Sequence, residues 1–365
     1  MTKKKYKILI MSAPIGSGHA LAAQALKEEF EKNDECEVLL GSAFDFFPAI
    51  LGKIVLRSYL SVLKHIPGLY EIAYKWGNNP SGSLWLRNII NNFLAFLADT
   101  YLRKSNPDIV IATHATPAGI ISAYKKKHKD HRLLLASVIT DFTIHKWWLC
   151  DGTDAYFLAA DDLKPEITPL PGQELYYYGI PVRSAFRQKY NREEIRKKFG
   201  WNEDSKVCLL MGGGEGLLPM KEILQGIIGR VPQKTRFVAI TGRNKKLALE
   251  LQNMSSAVEV YGFTEKIAEF MHGADIIISK AGGLTAAETI TTKLTYIIYR
   301  PLPGQEEANA EYLKSAGAAD IAKTPEDVLN IIEAYWNETS CEILNLAKPE
   351  AAKNIVKTVI DRLES

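Results

Sequence analysis

Residues 6–19, Y-K-I-L-I-M-S-A-P-I-G-S-G-H, predict a buried strand over 6–13 that ends in a glycine loop. A helix pattern over 21–32 follows this loop, and a short apolar run comes after the helix. Strand-like and helix-like runs then alternate along both halves of the chain, an order that is typical of parallel α/β sheets. The pattern therefore predicts an α/β fold.

The length of the chain, 365 residues, favours two domains. We expect an N-terminal domain over 1–180 and a second α/β domain over 200–345. The sequence of the last helix, 346–365, permits it to pack back on the first domain. Residues 42–103 interrupt the first domain with helical patterns rich in aromatic and basic residues, which predicts a helical insertion.

The charge and the cysteines limit the environment of the protein. A net charge of +3 gives no indication of a nucleic-acid partner, but residues 53–132 are strongly basic, which predicts contact with an anionic membrane surface. No apolar run reaches the roughly 18 residues of a membrane span, so this contact would be peripheral. The four cysteines form no C-x-x-C pair, which favours reduced thiols in the cytoplasm. We expect a cytoplasmic protein, peripheral on the inner face of the cell membrane.

The glycine loop after the first strand is a candidate phosphate or acceptor loop. Gly16 and Gly18 allow a tight turn beside a helix N-terminus, whose free N–H groups attract anions. Leu21 replaces the third glycine of a dinucleotide fingerprint, which argues against NAD. His19 is a candidate general base, because a histidine pKa lies near neutrality. The alternative is a histidine that only caps or packs in the loop.

The segment V-I-T-D-F-T-I-H-K-W-W (138–148) places polar and aromatic residues directly after another apolar run. Asp141 is a candidate base, or a group that orients His19. His145 and Trp148 are candidates for contact with the acceptor, since aromatic rings pack against lipid chains and sugar faces. A Thr-Asp helix cap with core tryptophans is the alternative.

Three segments of the second half also follow strand-like runs. M-G-G-G-E-G (211–216) offers several N–H groups that could cradle phosphate oxygens. S-K-A-G-G-L-T-A-A-E (279–288) predicts an anion site at a helix N-terminus, with Thr285 as a phosphate donor and Glu288 as an acceptor of ribose hydroxyls. R-P-L-P-G-Q-E-E-A-N (300–309) ends in amide and carboxylate groups that suit sugar hydroxyls. The alternatives are an ordinary loop, a helix-dipole role for Glu288 and a polar helix start.

Together these segments resemble glycosyltransferase family 28, of the monogalactosyldiacylglycerol synthase and processive diacylglycerol glucosyltransferase type. The resemblance spans roughly residues 6–320 and also includes Y-G-I-P-V (178–182). It implies a GT-B fold, with two Rossmann-like parallel-sheet domains that face a cleft and UDP bound by the second domain. It implies an inverting transfer of galactose or glucose from a UDP-sugar to diacylglycerol, with His19 or Asp141 as base. It also implies that neither a cofactor nor a metal is required, which agrees with the absence of an Asp-x-Asp triplet from the sequence.

The resemblance assigns parts of the donor to individual residues. Gly282, Gly283 and Thr285 would meet the diphosphate, Glu288 the ribose, and the neighbourhood of Phe263 the uracil. The full set of implied donor-binding residues is Gly213, Gly214, Glu215, Phe263, Lys280, Gly282, Gly283, Leu284, Thr285, Glu288, Gln305, Glu306 and Asn309.

Three other functions stay open at this point. The acceptor could be another lipid-linked molecule, as in peptidoglycan precursor synthesis. The chain could be a UDP-N-acetylglucosamine 2-epimerase, although the insertion at 42–103 argues against a soluble substrate. It could also be a non-catalytic nucleotide-sugar-binding subunit, against which His19 and Asp141 argue. The sequence leaves open the sugar, the number of sugars added and the oligomeric state.

Overall fold

The computed structural model describes residues 5–13, 17–46, 83–231, 234–337 and 346–365. Gly16 and most of the predicted insertion, 47–82, lie outside the described residues. The chain forms two compact units. The first contains Met1–Arg183, Pro303–Gln305 and Lys348–Ser365, and the second contains Ser184–Leu302 and Glu306–Ala347.

The first unit is built on a six-stranded parallel sheet, whose order is β2-β1-β3-β4-β5-β6. Its strands are β1 (Tyr6–Ser12), β2 (Cys36–Ser42), β3 (Ile109–Ala112), β4 (Leu134–Val138), β5 (Ala155–Phe157) and β6 (Glu174–Tyr176). Its helices are α1 (Gly18–Phe30), α2 (Ser83–Ser105), α3 (Ala115–His128) and the last helix of the chain, α11 (Ala351–Glu364).

Both faces of this sheet are covered, which explains the continuous apolar runs of its strands. Leu9 and Val110 pack with α2 and α3 on one face. Ile8 and Ile10 pack with α1 and α11 on the other face, because successive side chains of a strand point in opposite directions. The last helix is therefore part of the core of the first unit.

The second unit repeats the arrangement, with the strand order β12-β11-β10-β7-β8-β9. Its strands are β7 (Lys206–Met211), β8 (Thr235–Ile240), β9 (Val258–Tyr261), β10 (Ile276–Ser279), β11 (Thr295–Tyr299) and β12 (Asp320–Ala322). The remaining helices are α4 (Arg192–Phe199), α5 (Met220–Ile227), α6 (Lys245–Gln252), α7 (Ile267–Gly273), α8 (Gly283–Thr292), α9 (Gln305–Ser315) and α10 (Pro325–Asn337).

The strand order reverses once in each sheet. In the first sheet the chain moves from β1 outward to β2 and then returns to the other side of β1 with β3. In the second sheet β7 and β10 flank the corresponding reversal. Ligands of open α/β sheets bind outside the carboxyl ends of the strands at such a point, because the loops there diverge and leave a crevice. The topology therefore predicts that ligands bind at the carboxyl ends of β1, β3, β7 and β10.

Within the described part of the chain, no helix combines the length and the apolar character that a membrane crossing would need.

Candidate functional site

His19 lies at the strand reversal of the first sheet. It is the second residue of α1, which follows β1. Its Nδ1 lies 2.9 Å from the carbonyl oxygen of Thr113 and 2.7 Å from Oγ1 of Thr140. Thr113 follows β3 and Thr140 follows β4, so residues after two adjacent strands hold the ring of a residue that follows their neighbour β1.

These contacts define which nitrogen of His19 can accept a proton. A carbonyl oxygen only accepts hydrogen bonds, so Nδ1 donates to Thr113 and carries the hydrogen of the neutral ring. Nε2 then has a free lone pair. Thr113 also donates from Oγ1 to the carbonyl oxygen of His19, at 3.0 Å, which fixes the backbone of His19 as well as its ring.

Burial lowers the pKa of His19 below its ordinary value of 6.5. The carboxylate of Asp141 and the Thr113 carbonyl act in the opposite direction and raise the pKa of His19, but burial is the larger effect. His19 is therefore neutral at pH 7 and able to accept a proton.

Asp141 is itself only 5% exposed. It accepts a hydrogen bond from Nε2 of Gln305, a residue that groups with the first unit. The structure thus brings together two predicted site residues that are 164 positions apart in sequence.

His114 is a neighbour of His19 that the sequence patterns did not identify. The two imidazole rings meet edge to face, with centroids 4.7 Å apart. Burial, together with the nearby His19 and His145, lowers the pKa of His114 well below its ordinary value. Nδ1 of His114 accepts a hydrogen bond from Thr116 N and caps α3. The sequence signal that could have identified His114 is its position directly after β3 and Thr113. The strand order reverses beside β3, and ligands bind at the carboxyl ends of the strands there.

The two predicted acceptor residues have different surroundings. His145 is half-buried and accepts a hydrogen bond from the backbone of Trp147. Trp148 is 3% exposed and belongs to the core of the first unit, so its ring has little surface to offer an acceptor. This is the core role that the sequence left as the alternative. Gly18 begins α1, and its predicted partner Gly16 lies outside the described residues.

The glycine loop after β7 folds tightly. Gly213 and Gly216 have φ angles of +72° and +61°, a region that favours glycine. A Cβ on Gly216 would lie 2.1 Å from the Thr241 carbonyl oxygen, and one on Gly212 would lie 2.7 Å from Leu218 N. These close approaches explain why the sequence needs small residues at positions 212 and 216. Gly214 and Glu215 lie between them, at the tip of the turn.

The loop after β10 joins this site from the other side of the reversal. Ser279 donates from Oγ to the Met211 carbonyl oxygen at 2.7 Å, which ties the ends of β10 and β7 together. Helix α8 has Gly282 as its N-cap and begins at Gly283. Leu284 is buried and Thr285 is half-buried.

Glu288 is the sixth residue of α8 and so belongs to the second turn of the helix. Its exposure is only 4%.

The loop after β11 contacts the β10 loop through two side chains. Lys280 Nζ lies 2.5 Å from Oε1 of Glu306, whose Oε2 accepts a hydrogen bond from Leu302 N. Asn309 is 1% exposed and donates from Nδ2 to the Ala281 carbonyl oxygen at 3.1 Å. Asn309 therefore joins α9 to the glycine turn, and its contact with the donor stays a prediction.

Phe263 follows β9 and is 62% exposed. The guanidinium of Arg243 lies over its ring at 5.1 Å, and the same group pairs with Glu215 at 2.8 Å. Arg243 was not among the predicted residues.

Across the described residues, no group of three or more His, Cys, Asp or Glu side chains is arranged to hold a metal ion.

Two family models match this chain. The model described as monogalactosyldiacylglycerol (MGDG) synthase matches residues 19–182, and the glycosyltransferase family 28 C-terminal domain matches residues 207–363. A processive diacylglycerol beta-glucosyltransferase of Bacillus cereus (strain G9842) is 31% identical over 363 residues, which covers 96% of this chain and 90% of the relative.

Solved structures share the architecture at low identity. MurG from Acinetobacter baumannii has a TM-score of 0.62 at 18% identity, with 99% of both chains covered. A UDP-glucosyltransferase from Polygonum tinctorium has a TM-score of 0.65 at 11% identity, with 100% of both chains covered. These likenesses show the fold alone, which is the GT-B class.

The protonation of His19 provides the first test of this site. In an NMR titration of the imidazole signals, we expect His19 to titrate below pH 6.5 because burial disfavours the charged ring. In D141N the pKa of His19 should fall further, since the carboxylate that raises it is lost. His131 precedes β4 and so lies at the amino ends of the strands, opposite to Asp141, and D141N should leave its chemical shift unchanged. A higher pKa of His19 in D141N would contradict the conclusion that the Asp141 carboxylate raises the pKa of His19.

Proposed function

This chain belongs to glycosyltransferase family 28, of the monogalactosyldiacylglycerol synthase and processive diacylglycerol glucosyltransferase type, and we propose that it moves a hexose from a UDP-sugar to diacylglycerol. The observation that carries the proposal is a neutral histidine at the strand reversal, with Nδ1 bound to Thr113 and Nε2 free to accept a proton.

The transfer is a single displacement with inversion. The acceptor hydroxyl oxygen attacks C1 of the sugar, and the bond from C1 to the UDP oxygen breaks with its electron pair going to UDP. Nε2 of His19 accepts the hydroxyl proton. Of the two candidate bases, His19 suits the role better, because Asp141 is almost fully buried and its charge favours the imidazolium that forms.

The donor nucleotide would bind at the strand reversal of the second sheet. N–H groups of the glycine loop 212–216 and of the N-terminus of α8 would stabilise the negative charge of the departing UDP. Glu288 would accept hydrogen bonds from the ribose hydroxyls, and Gln305 and Glu306 would contact the sugar. We propose that no metal takes part, because these N–H groups supply the charge stabilisation and the sequence has no Asp-x-Asp triplet.

Glucose is the sugar that we favour. The near-full-length Bacillus cereus relative is named a glucosyltransferase, whereas the MGDG synthase model matches only residues 19–182. The same relative favours a transferase over the epimerase that the sequence left open. It also favours diacylglycerol over another lipid-linked acceptor.

A transfer assay tests this function directly. Purified protein is incubated with diacylglycerol in anionic vesicles and with labelled UDP-glucose, UDP-galactose or UDP-N-acetylglucosamine, with and without a chelator. We expect labelled glycolipid from UDP-glucose, at the same rate when the chelator is present. Conversion of UDP-N-acetylglucosamine without any lipid product would instead indicate the epimerase, and activity lost to the chelator would overturn the metal-free mechanism.

The exposed face of α2 supports action at a membrane surface. Large apolar side chains at helical spacing are exposed, including Trp85 at 69%, Phe93 at 61% and Phe96 at 63%. The opposite face of α2, including Leu94 and Ala98, packs in the core. Soluble proteins seldom expose so continuous an apolar strip without a partner.

Basic residues lie next to this strip. Lys127 Nζ is 5.0 Å from the centroid of the Phe96 ring, and Lys127 belongs to the run K-K-K-H-K (125–129) at the end of α3. An apolar face with adjoining lysines is suited to the interface of an anionic bilayer, where the rings enter the acyl region and the lysines meet the headgroups. We propose that α2 is the membrane contact and that the membrane face is the cytoplasmic one, in line with the sequence-based expectation.

Vesicle flotation tests this contact. The double variant F93S/F96S should bind anionic vesicles on the order of tenfold more weakly or worse, because two buried rings are lost from the interface. L249S removes a residue that is 63% exposed on α6 and is the matched control, with unchanged flotation expected. Equal flotation of F93S/F96S and wild type would exclude α2 as the membrane contact.

A further inference from the structure

Arg243, Glu215 and Phe263 form a small cluster at the carboxyl ends of β8, β7 and β9. Nη1 of Arg243 lies 2.8 Å from Oε1 of Glu215. The carbon at the centre of its guanidinium lies 5.1 Å from the centroid of the Phe263 ring. The side chains of Arg243 and Glu215 are 61% and 56% exposed, so the cluster is open to solvent. We call these three residues the arginine cluster.

The backbone of Arg243 is held against the glycine loop. Arg243 N donates to the Gly214 carbonyl oxygen at 2.9 Å, and Asn244 donates from Nδ2 to the Gly216 carbonyl oxygen at 3.3 Å. A Cβ on Gly242 would lie 2.4 Å from the Gly214 carbonyl oxygen, so the two loops touch and only glycine fits. The long side chain of Arg243 therefore starts from a fixed point beside the proposed phosphate cradle.

Each contact of the Arg243 side chain resembles a contact that a nucleotide would make. The carboxylate of Glu215 is an anion at the tip of the glycine loop, where the diphosphate of the donor would bind. The guanidinium is a planar group on the face of an exposed phenylalanine, which is how a pyrimidine ring stacks on an aromatic side chain. Within the cluster, Glu215 thus takes the place of the diphosphate on Arg243, and the guanidinium takes the place of the pyrimidine on Phe263.

Both contacts are weak enough to be exchanged. An ion pair between two exposed side chains contributes little to stability, because water screens the charges. A diphosphate offers Arg243 more negative charge than a carboxylate and several oxygens for paired hydrogen bonds. Uracil offers Phe263 a larger apolar face than a guanidinium does.

We propose that Arg243 binds the diphosphate of the nucleotide, and that Glu215 and Phe263 bind its guanidinium while the nucleotide is absent. When the nucleotide binds, the uracil replaces the guanidinium on Phe263 and the diphosphate replaces Glu215 on Arg243. Glu215 is then a placeholder that leaves the site, whereas the sequence predicted it as a donor ligand. This inference rests on the proposed binding of a UDP-sugar by the second unit.

The exchange makes Arg243 a determinant of specificity. A nucleoside without phosphate must displace the guanidinium from Phe263 and gives Arg243 no anion in return. A nucleoside diphosphate compensates for that displacement with a new ion pair. Arg243 therefore selects nucleotides over nucleosides at the same base-binding surface.

Calorimetric titration of the full chain with UDP and with uridine tests the proposal. R243A should lower UDP affinity by about tenfold or more, because a charge-assisted pair is lost, while uridine affinity stays equal or rises. E215Q should raise UDP affinity by roughly threefold, since the competing charge is removed. K246A removes an exposed lysine three positions away and is the matched control, with UDP affinity unchanged.

Two results would overturn the role of Arg243: an unchanged UDP affinity in R243A, or an equal loss of UDP and uridine affinity, which would make Arg243 only a support for Phe263. Weaker UDP binding by E215Q would overturn the placeholder role of Glu215. F263L separates this inference from the proposed function, because it should weaken UDP and uridine alike. If F263L leaves UDP affinity unchanged, or wild type binds no UDP, the donor site itself is misplaced.

Discussion

The single reversal of strand order in each parallel sheet is the constraint on which the site depends. Right-handed crossovers carry successive strands outward in one direction, and the chain must return to the first strand before it can extend the sheet on the other side. The loops after the two central strands then leave in opposite directions and open a crevice at their carboxyl ends. His19 and Thr113 lie at this point in the first sheet, and the loops 212–216 and 280–283 lie at it in the second.

The two reversals hold groups of different chemistry. In the first unit, side-chain groups predominate: a neutral imidazole, a buried carboxylate and a second histidine in edge-to-face contact. In the second unit, glycine backbone and a helix N-terminus predominate, and these offer N–H donors to an anion. Such a division suits a transfer reaction, in which one ligand must lose a proton and the other must leave as an anion.

The patterns that predicted the fold were local ones. Continuous apolar runs identified β1, β7 and β10, and glycine turns after them identified the loops of the site. The edge strand β12 has only three residues and two of them are not buried, so its sequence has no run to detect. The paired residues could not be predicted. Arg243 meets Glu215 across 28 positions of sequence, and only the order of β7 and β8 in the sheet brings them together.

The sequence patterns also did not predict how deeply individual side chains are buried. Trp148 and Asn309 have side chains suited to ligands, yet both are almost fully buried and hold the fold around the site. Glu288 is likewise almost fully buried, on the second turn of α8, and its contact with the ribose stays a prediction. Sequence periodicity gives the face of a helix, but the depth of that face depends on neighbours that are distant in the chain.

The central claim is that the first unit removes the acceptor proton while the second unit binds UDP, and one pair of variants tests it most directly. UDP affinity and turnover are measured for H19A and E288A. We predict that H19A keeps the wild-type UDP affinity and loses turnover by about 100-fold or more, because only the base is lost. E288A should weaken UDP binding by about 1–3 kcal/mol, as hydrogen bonds to the ribose are lost. Retained turnover in H19A, or unchanged UDP affinity in E288A, would contradict the account.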